Sequence, residues 1–280
     1  MLFPFLLLVF TIITNSDPIK PTGFFVQAQG HFKQVQDSFI KKWDSQGAGN
    51  GQISMPHSID IDLAGNVYVA DSGNSRVQKF TSDGQFVTKW SYENIGGIES
   101  YADPHQIAID SVGNVYVPDA AGDKVIKFDG DGKFITKWGI EGTGNGQFRK
   151  PHGVAVDSAD NVYITDMHNS RVQKFDSGGN FITMWGTEGA KEGQFSQVIP
   201  GIDADYSNDD VYVVDKEGAN VQKFSSSGKF ITKWGYEGGG DGEFKEPEDV
   251  AVNSMMGTIY VTDTGNSRIQ LFGINPQKQG

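Results

Sequence analysis

Three histidines each follow a proline at the head of a short apolar run: His57 after Pro56, His105 after Pro104 and His152 after Pro151. In two further copies of the run the same position is held by Pro200 and Glu248. Three imidazoles and one carboxylate, if brought together, suit zinc, iron or manganese, because imidazole nitrogen and carboxylate oxygen are common ligands of those ions. His57, His105, His152 and Glu248 are therefore the candidate metal set, and zinc or another divalent ion the candidate cofactor. The competing reading is that a histidine after proline caps its strand and bonds a neighbouring loop. A second recurrent group pairs Asp71 with Arg76, Asp166 with Arg171 and Asp263 with Arg268, while Lys124 and Asn220 stand in for arginine beside Asp119 and Asp215. Such repetition favours an architectural ion pair tying adjacent blades. Ligand binding by Arg76, Arg171, Arg268 and His168 is the alternative.

The elements that must position these groups are short strands. Pro151–Asp157, Asn161–Asp166, Asn169–Phe175 and Asn180–Gly186 alternate Val and Ile with small or polar residues, and Asp, Asn, Gly or Ser cuts each run. The module recurs from Pro56 to Trp90, from Pro104 to Gly139 and from Ile199 to Gly235, and a last copy runs from Pro247 to Phe272 without a fourth strand. The closing Asp of the second strand falls at positions 71, 119, 166, 215 and 263, a step of 47 to 49 residues. Four strands at that period are the mark of propeller blades. Phe39–Trp43 matches the fourth strands Phe86–Trp90, Phe134–Trp138 and Phe230–Trp234. The expectation is an all-β propeller of five four-stranded blades, closed by that N-terminal outer strand pairing with the last copy. Six blades would need extra first and second strands, although Phe32–Gln36 has the look of a degenerate third strand. Recurrent Trp and Phe of the fourth strand read as filling between blades.

The runs Pro-His-Gly-Val-Ala-Val-Asp (151–157), Asn-Val-Tyr-Ile-Thr-Asp (161–166) and Asn-Ser-Arg-Val-Gln-Lys-Phe (169–175) resemble the NHL-repeat family of β-propellers, and the likeness covers about Phe39 to Phe272. The resemblance implies the fold; the family hosts enzymes, nucleic-acid readers and protein-binding platforms alike. More distantly, the lyase half of the peptide-amidating system, an NHL propeller, holds catalytic zinc through histidines of the Pro-His type, which His57, His105 and His152 match individually. The chain departs from it where a catalytic tyrosine follows the second-strand Asp by two residues. Gly73, Ala121, His168, Glu217 and Gly265 stand there, and only His168 is a polar aromatic.

Other motifs carry little. Gly142–Gly146 and Gly238–Gly242 precede extended strands and not a helix N-terminus, so they read as connectors between blades rather than phosphate cradles. Asp129-Gly-Asp131-Gly lacks the further acidic ligands of a calcium loop, and no Gly-x-Ser-x-Gly elbow occurs. With no cysteine, disulfides and thiolate chemistry are excluded. A formal net charge of −12 argues against a nucleic acid partner, whose affinity comes mainly from phosphate neutralisation.

Residues 1–16 differ from the rest. Leu2 to Ile13 is apolar and uncharged, too short to span a bilayer as a stable helix but suited to a signal-peptide core, with an uncleaved anchor as the alternative. Residues 17–36 read as a linker, 37–273 as the propeller and 274–280 as a tail, with no membrane span beyond the N-terminal segment. The expectation is a secreted or cell-surface, monomeric propeller acting as a platform for a protein, peptide or glycan ligand. The alternative is a metal-dependent lyase or hydrolase with a His-lined site at the channel mouth.

Overall fold

Residues 42, 45–91 and 104–274 are described by the computed structural model of the protein. Among them, nineteen strands form five antiparallel sheets, one per repeat, in an all-β propeller. The first blade contains β1 (Pro56–Ile61), β2 (Val67–Asp71), β3 (Arg76–Phe80) and β4 (Phe86–Ser91). The second contains β5 (Ala108–Ile109), β6 (Val115–Asp119), β7 (Lys124–Phe128) and β8 (Phe134–Trp138). The third contains β9 (Pro151–Val156), β10 (Val162–Asp166), β11 (Arg171–Phe175) and β12 (Phe181–Trp185). The fourth contains β13 (Ile202–Ala204), β14 (Val211–Asp215), β15 (Asn220–Phe224) and β16 (Phe230–Trp234), and the fifth β17 (Pro247–Asn253), β18 (Thr258–Asp263) and β19 (Arg268–Gly273). The fifth sheet is three-stranded among the described residues. The expected outer strand Phe39–Trp43, and with it the expected ring closure, lies outside them.

The core lies between blades, and one aromatic relay builds it. Tyr163 on β10 is fully buried and meets Trp185 on β12 edge-on, with centroids 6.0 Å apart. Trp185 then tilts against Phe224 of the next blade at 5.7 Å. The relay repeats as Tyr68–Trp90–Phe128, Tyr116–Trp138–Phe175 and Tyr212–Trp234–Phe272. Fourth-strand aromatics are thus filling between blades, as the sequence implies; each buries a large apolar ring in a preferred packing geometry. The turn before the next fourth strand has to let the indole in. Gly179 does so with φ +85°, since a Cβ there would lie 2.6 Å from Trp138. Only glycine tolerates both that backbone and that approach.

Polar ties accompany the relay. Tyr163 donates to Asp157 Oδ2 at 2.7 Å, and Lys174 stands 4.8 Å above the tyrosine ring. The lysine ammonium reaches onward to the carbonyl of Ser226 in the following blade, at 3.2 Å. Lys79 and Lys127 make the same step to Gly130 and Ser177. Burial pushes Asp157 up, but the hydrogen bonds from Asn161 and Tyr163 and the charge of Lys174 outweigh it, holding the carboxyl below its ordinary range.

Candidate functional site

Where the loop entering a blade is described, the hairpin between that blade's second and third strands holds it. In the third blade, Arg171 Nε donates to Asp166 Oδ2 at 2.7 Å, and its terminal nitrogens donate to the carbonyls of Thr143, Gly144 and Gln147. Arg76 repeats this with Asp71, Ala48, Gly49 and Gln52, and Arg268 with Asp263, Gly239 and Glu243. Two consequences refine the sequence reading. The Asp/Arg pair clamps a hairpin to its own entering loop, while the side chains that step from one blade to the next in the relay are the lysines. Arg76 and Arg171 are buried with their guanidinium donors spent inside the fold, so neither is presented to a ligand. The second blade has a looser Lys124–Asp119 pair at 3.8 Å, and in the fourth Ser196 hydrogen-bonds Asp215. His168 is exposed in the short turn after β10, its backbone N–H given to Arg149 O at 3.1 Å.

The Pro-His histidines do come together. His57 and His105 stack with ring centroids 4.7 Å apart, and His105 and His152 at 4.2 Å. Nδ1 of His57 and Nδ1 of His105 are 3.0 Å apart, so one must carry the proton that the other accepts. Nδ1 of His152 stands 2.9 Å from the carbonyl of Pro200, to which it donates. The result is a column of imidazoles rather than a convergent cage. Glu248 forms an ion pair with Lys216. Among the described residues no group of three or more His, Asp or Glu side chains is placed to hold a metal ion. Stacked rings that spend Nδ1 on one another and on a carbonyl do not direct three lone pairs at one centre, so this donor set does not fit zinc.

Below the column lies a cavity of about 1050 Å³, with His57 and the first strands of all five blades in its wall. Three carboxylates that sequence reasoning missed face it, one each from β1, β13 and β17. Asp60 accepts from the backbone N–H of Ile61 and of Ile109 in the next blade, at 2.7 and 2.9 Å. Asp203 accepts from Ala204 and from Val252 of the next blade, at 2.8 and 2.7 Å. Asp249 Oδ1 accepts from Val250 N–H and from the Gln106 side-chain amide, both at 2.9 Å. That last bond joins the second blade, just ahead of β5, to β17 of the fifth. Burial pushes the Asp60 carboxyl up to about 6, and Asp203 and Asp249 up to about 7, against the pull of their backbone donors. Asp249 and Asp60 push Asp203 further in the same direction. Broken repeat symmetry was the available signal: Asp60 and Asp203 align with Ala108, Ala155 and Ala251, and Asp249 with Gly153 and Gly201.

The comparisons with known proteins bear on the repeat and the fold. The family model described as NHL repeat matches residues 54–80 and 148–175. The chain carries NHL repeats within a β-propeller fold. A second family model, described as a 6-bladed beta-propeller, matches residues 201–277. NHL repeat-containing protein 3 of Homo sapiens is 36% identical over 61 residues, covering 21% of this chain and 18% of that protein. Protein lin-41 of Caenorhabditis elegans is 32% identical over 81 residues, covering 28% of this chain and 7% of the relative. The NHL match thus spans under a fifth of either relative's length. Among solved structures, a catalytically inactive virginiamycin B lyase from Staphylococcus aureus with quinupristin aligns with TM-score 0.60 at 16% identity, over 87% of this chain and 76% of that one. A streptogramin B lyase aligns with TM-score 0.56 at 13% identity, over 85% and 87%. At those identities the likeness is one of propeller fold.

Proposed function

We propose that this NHL propeller is a non-catalytic, exported binding platform whose ligand enters at the histidine column and occupies the cavity beneath it. The observation that carries the reading is continuity: His57 at the mouth and the inner strands of all five blades line one space of about 1050 Å³. That is the size of a small-molecule site, with apolar walls and a few fixed polar groups. Binding rather than turnover is supported by the mouth, whose imidazoles bond one another and a backbone carbonyl and form no nucleophile–base pair among the described residues. Export rests on the apolar segment Leu2–Ile13, and N-terminal sequencing of protein recovered from the medium checks it.

The test is entry of a ligand. Short-chain alcohols and amines titrated into the purified chain should shift the methyl resonances of Ile59, Ile109 and Val154 on the cavity wall. A channel that admits none of them ends the reading. Metal analysis of the same preparation decides the rival: one zinc per chain, lost in His105→Ala, would replace the platform with a metal-dependent lyase or hydrolase.

A further inference from the structure

The polar groups of the axial cavity are unusually one-sided. Among the described residues that line it there is no lysine or arginine. Its titratable lining comprises His57, Asp60, Asp62, Asp110, Asp203, Tyr206 and Asp249. Asp62 and Asp110 are already committed, each accepting from an asparagine and a tyrosine of its own blade. Asp110 has Lys127 beside it as well, at 3.3 Å. Among the described residues, Asp60, Asp203 and Asp249 accept from backbone N–H groups and from the neutral amide of Gln106. Around them stand Ile59, Ile109, Val154, Ile202 and Val250. Apolar walls and uncompensated carboxylates together define a complementary occupant by its charge and shape.

We propose that the cavity takes a small organic cation, an apolar body with a single ammonium head, the head seated among Asp60, Asp203 and Asp249. The size of the space favours a small molecule, and three carboxylates drawn from three blades line it together. The absence of any basic residue from the lining leaves the charge for the ligand to supply. Burial holds the three carboxyls partly protonated near neutrality, so an entering ammonium must displace protons. Binding should therefore strengthen as pH rises through 6 and 7, whereas an anion would show the reverse. This inference rests on the platform reading above and narrows it to one ligand class.

Calorimetric titration of the full chain with n-octylammonium, n-octanol and n-octanoate separates the two claims. Octylammonium, which keeps its charge well beyond pH 8 as lysine does, should bind one per chain and at least about ten-fold more tightly than either analogue. Its affinity should rise about ten-fold between pH 5.5 and 8, and Asp249→Asn, which retains the Oδ1 acceptor, should remove about five- to ten-fold of it while leaving octanol unchanged. Equal binding of all three probes would overturn the cation preference and leave the platform standing. No binding by any probe would end both. Tighter binding of acetyl-Leu-Lys-Leu-amide than of octylammonium would reassign the cavity to a peptide. The ligand series on the unmodified chain decides the matter even if the variant does not fold.

Discussion

The third and fifth blades share nearly one sequence pattern yet occupy different environments. In the third, every residue of β11 is buried, Tyr163 is fully covered and Arg171 is enclosed with Asp166. In the fifth, β19 alternates half-buried and exposed positions, Tyr260 is 40% exposed, and Ile269 and Leu271 are 68% and 59% exposed. The first blade shows the matching deficit on its opposite face: Ile59 and Ile61 are 64% and 59% exposed, while their counterparts Ile107 and Ile109 are 4% and 5%. What differs is the neighbour, not the repeat. A blade's apolar residues are buried to the extent that a neighbouring element lies against them.

The largest expected contrast is in the aromatic relay. Phe175→Ala should cost about 3–5 kcal/mol in denaturant unfolding, because it empties a fully enclosed site, and Phe272→Ala distinctly less. Equal losses would mean that the fifth blade is covered as fully as the third. Next comes the clamp. Arg171→Ala strands the buried Asp166 carboxylate and should cost about 3 kcal/mol, against about 1 kcal/mol for the more open Arg268→Ala. Measuring both in one buffer sharpens the comparison.

The axial carboxylates give a smaller, pH-signed effect. Asp249 binds its proton more tightly folded, at about 7, than in the unfolded chain, where the ordinary value is 3.8. Its contribution is therefore fully present below about pH 4 and is lost as pH rises through 7. Asp249→Asn should raise stability at pH 8 by on the order of 1 kcal/mol, discounted for water reaching the cavity, and change little at pH 4. A destabilising effect at pH 8 would contradict burial as the cause. Smallest of all, Ile269→Ser on β19 should stay within about 0.5 kcal/mol, the range of ordinary surface changes, whereas Val172→Ser at the aligned position of β11 should cost several-fold more. A large loss at Ile269 would reveal a covering element on that edge.

Much of this was legible in the residues. The period of the closing Asp and the Trp of each fourth strand fixed the blades and their order, because alternation at period two admits one strand register. The Asp/Arg recurrence pointed to an ion pair but not to its partner loop, since Ala48 and Thr143 contribute only carbonyls and carbonyls have no sequence signature. The three Pro-His histidines stand together in the structure. Their stacking, and the diversion of Glu248 to Lys216, depend on side-chain directions that spacing does not encode.

Local sequence thus determined strands, turns and the residues that must be packed, because backbone geometry and side-chain alternation are properties of neighbouring residues along the chain. Tertiary structure alone decided which carboxylates share an axis. Asp60, Asp203 and Asp249 lie far apart in sequence, and the low-dielectric space that raises their proton affinity exists only once separate blades have enclosed it.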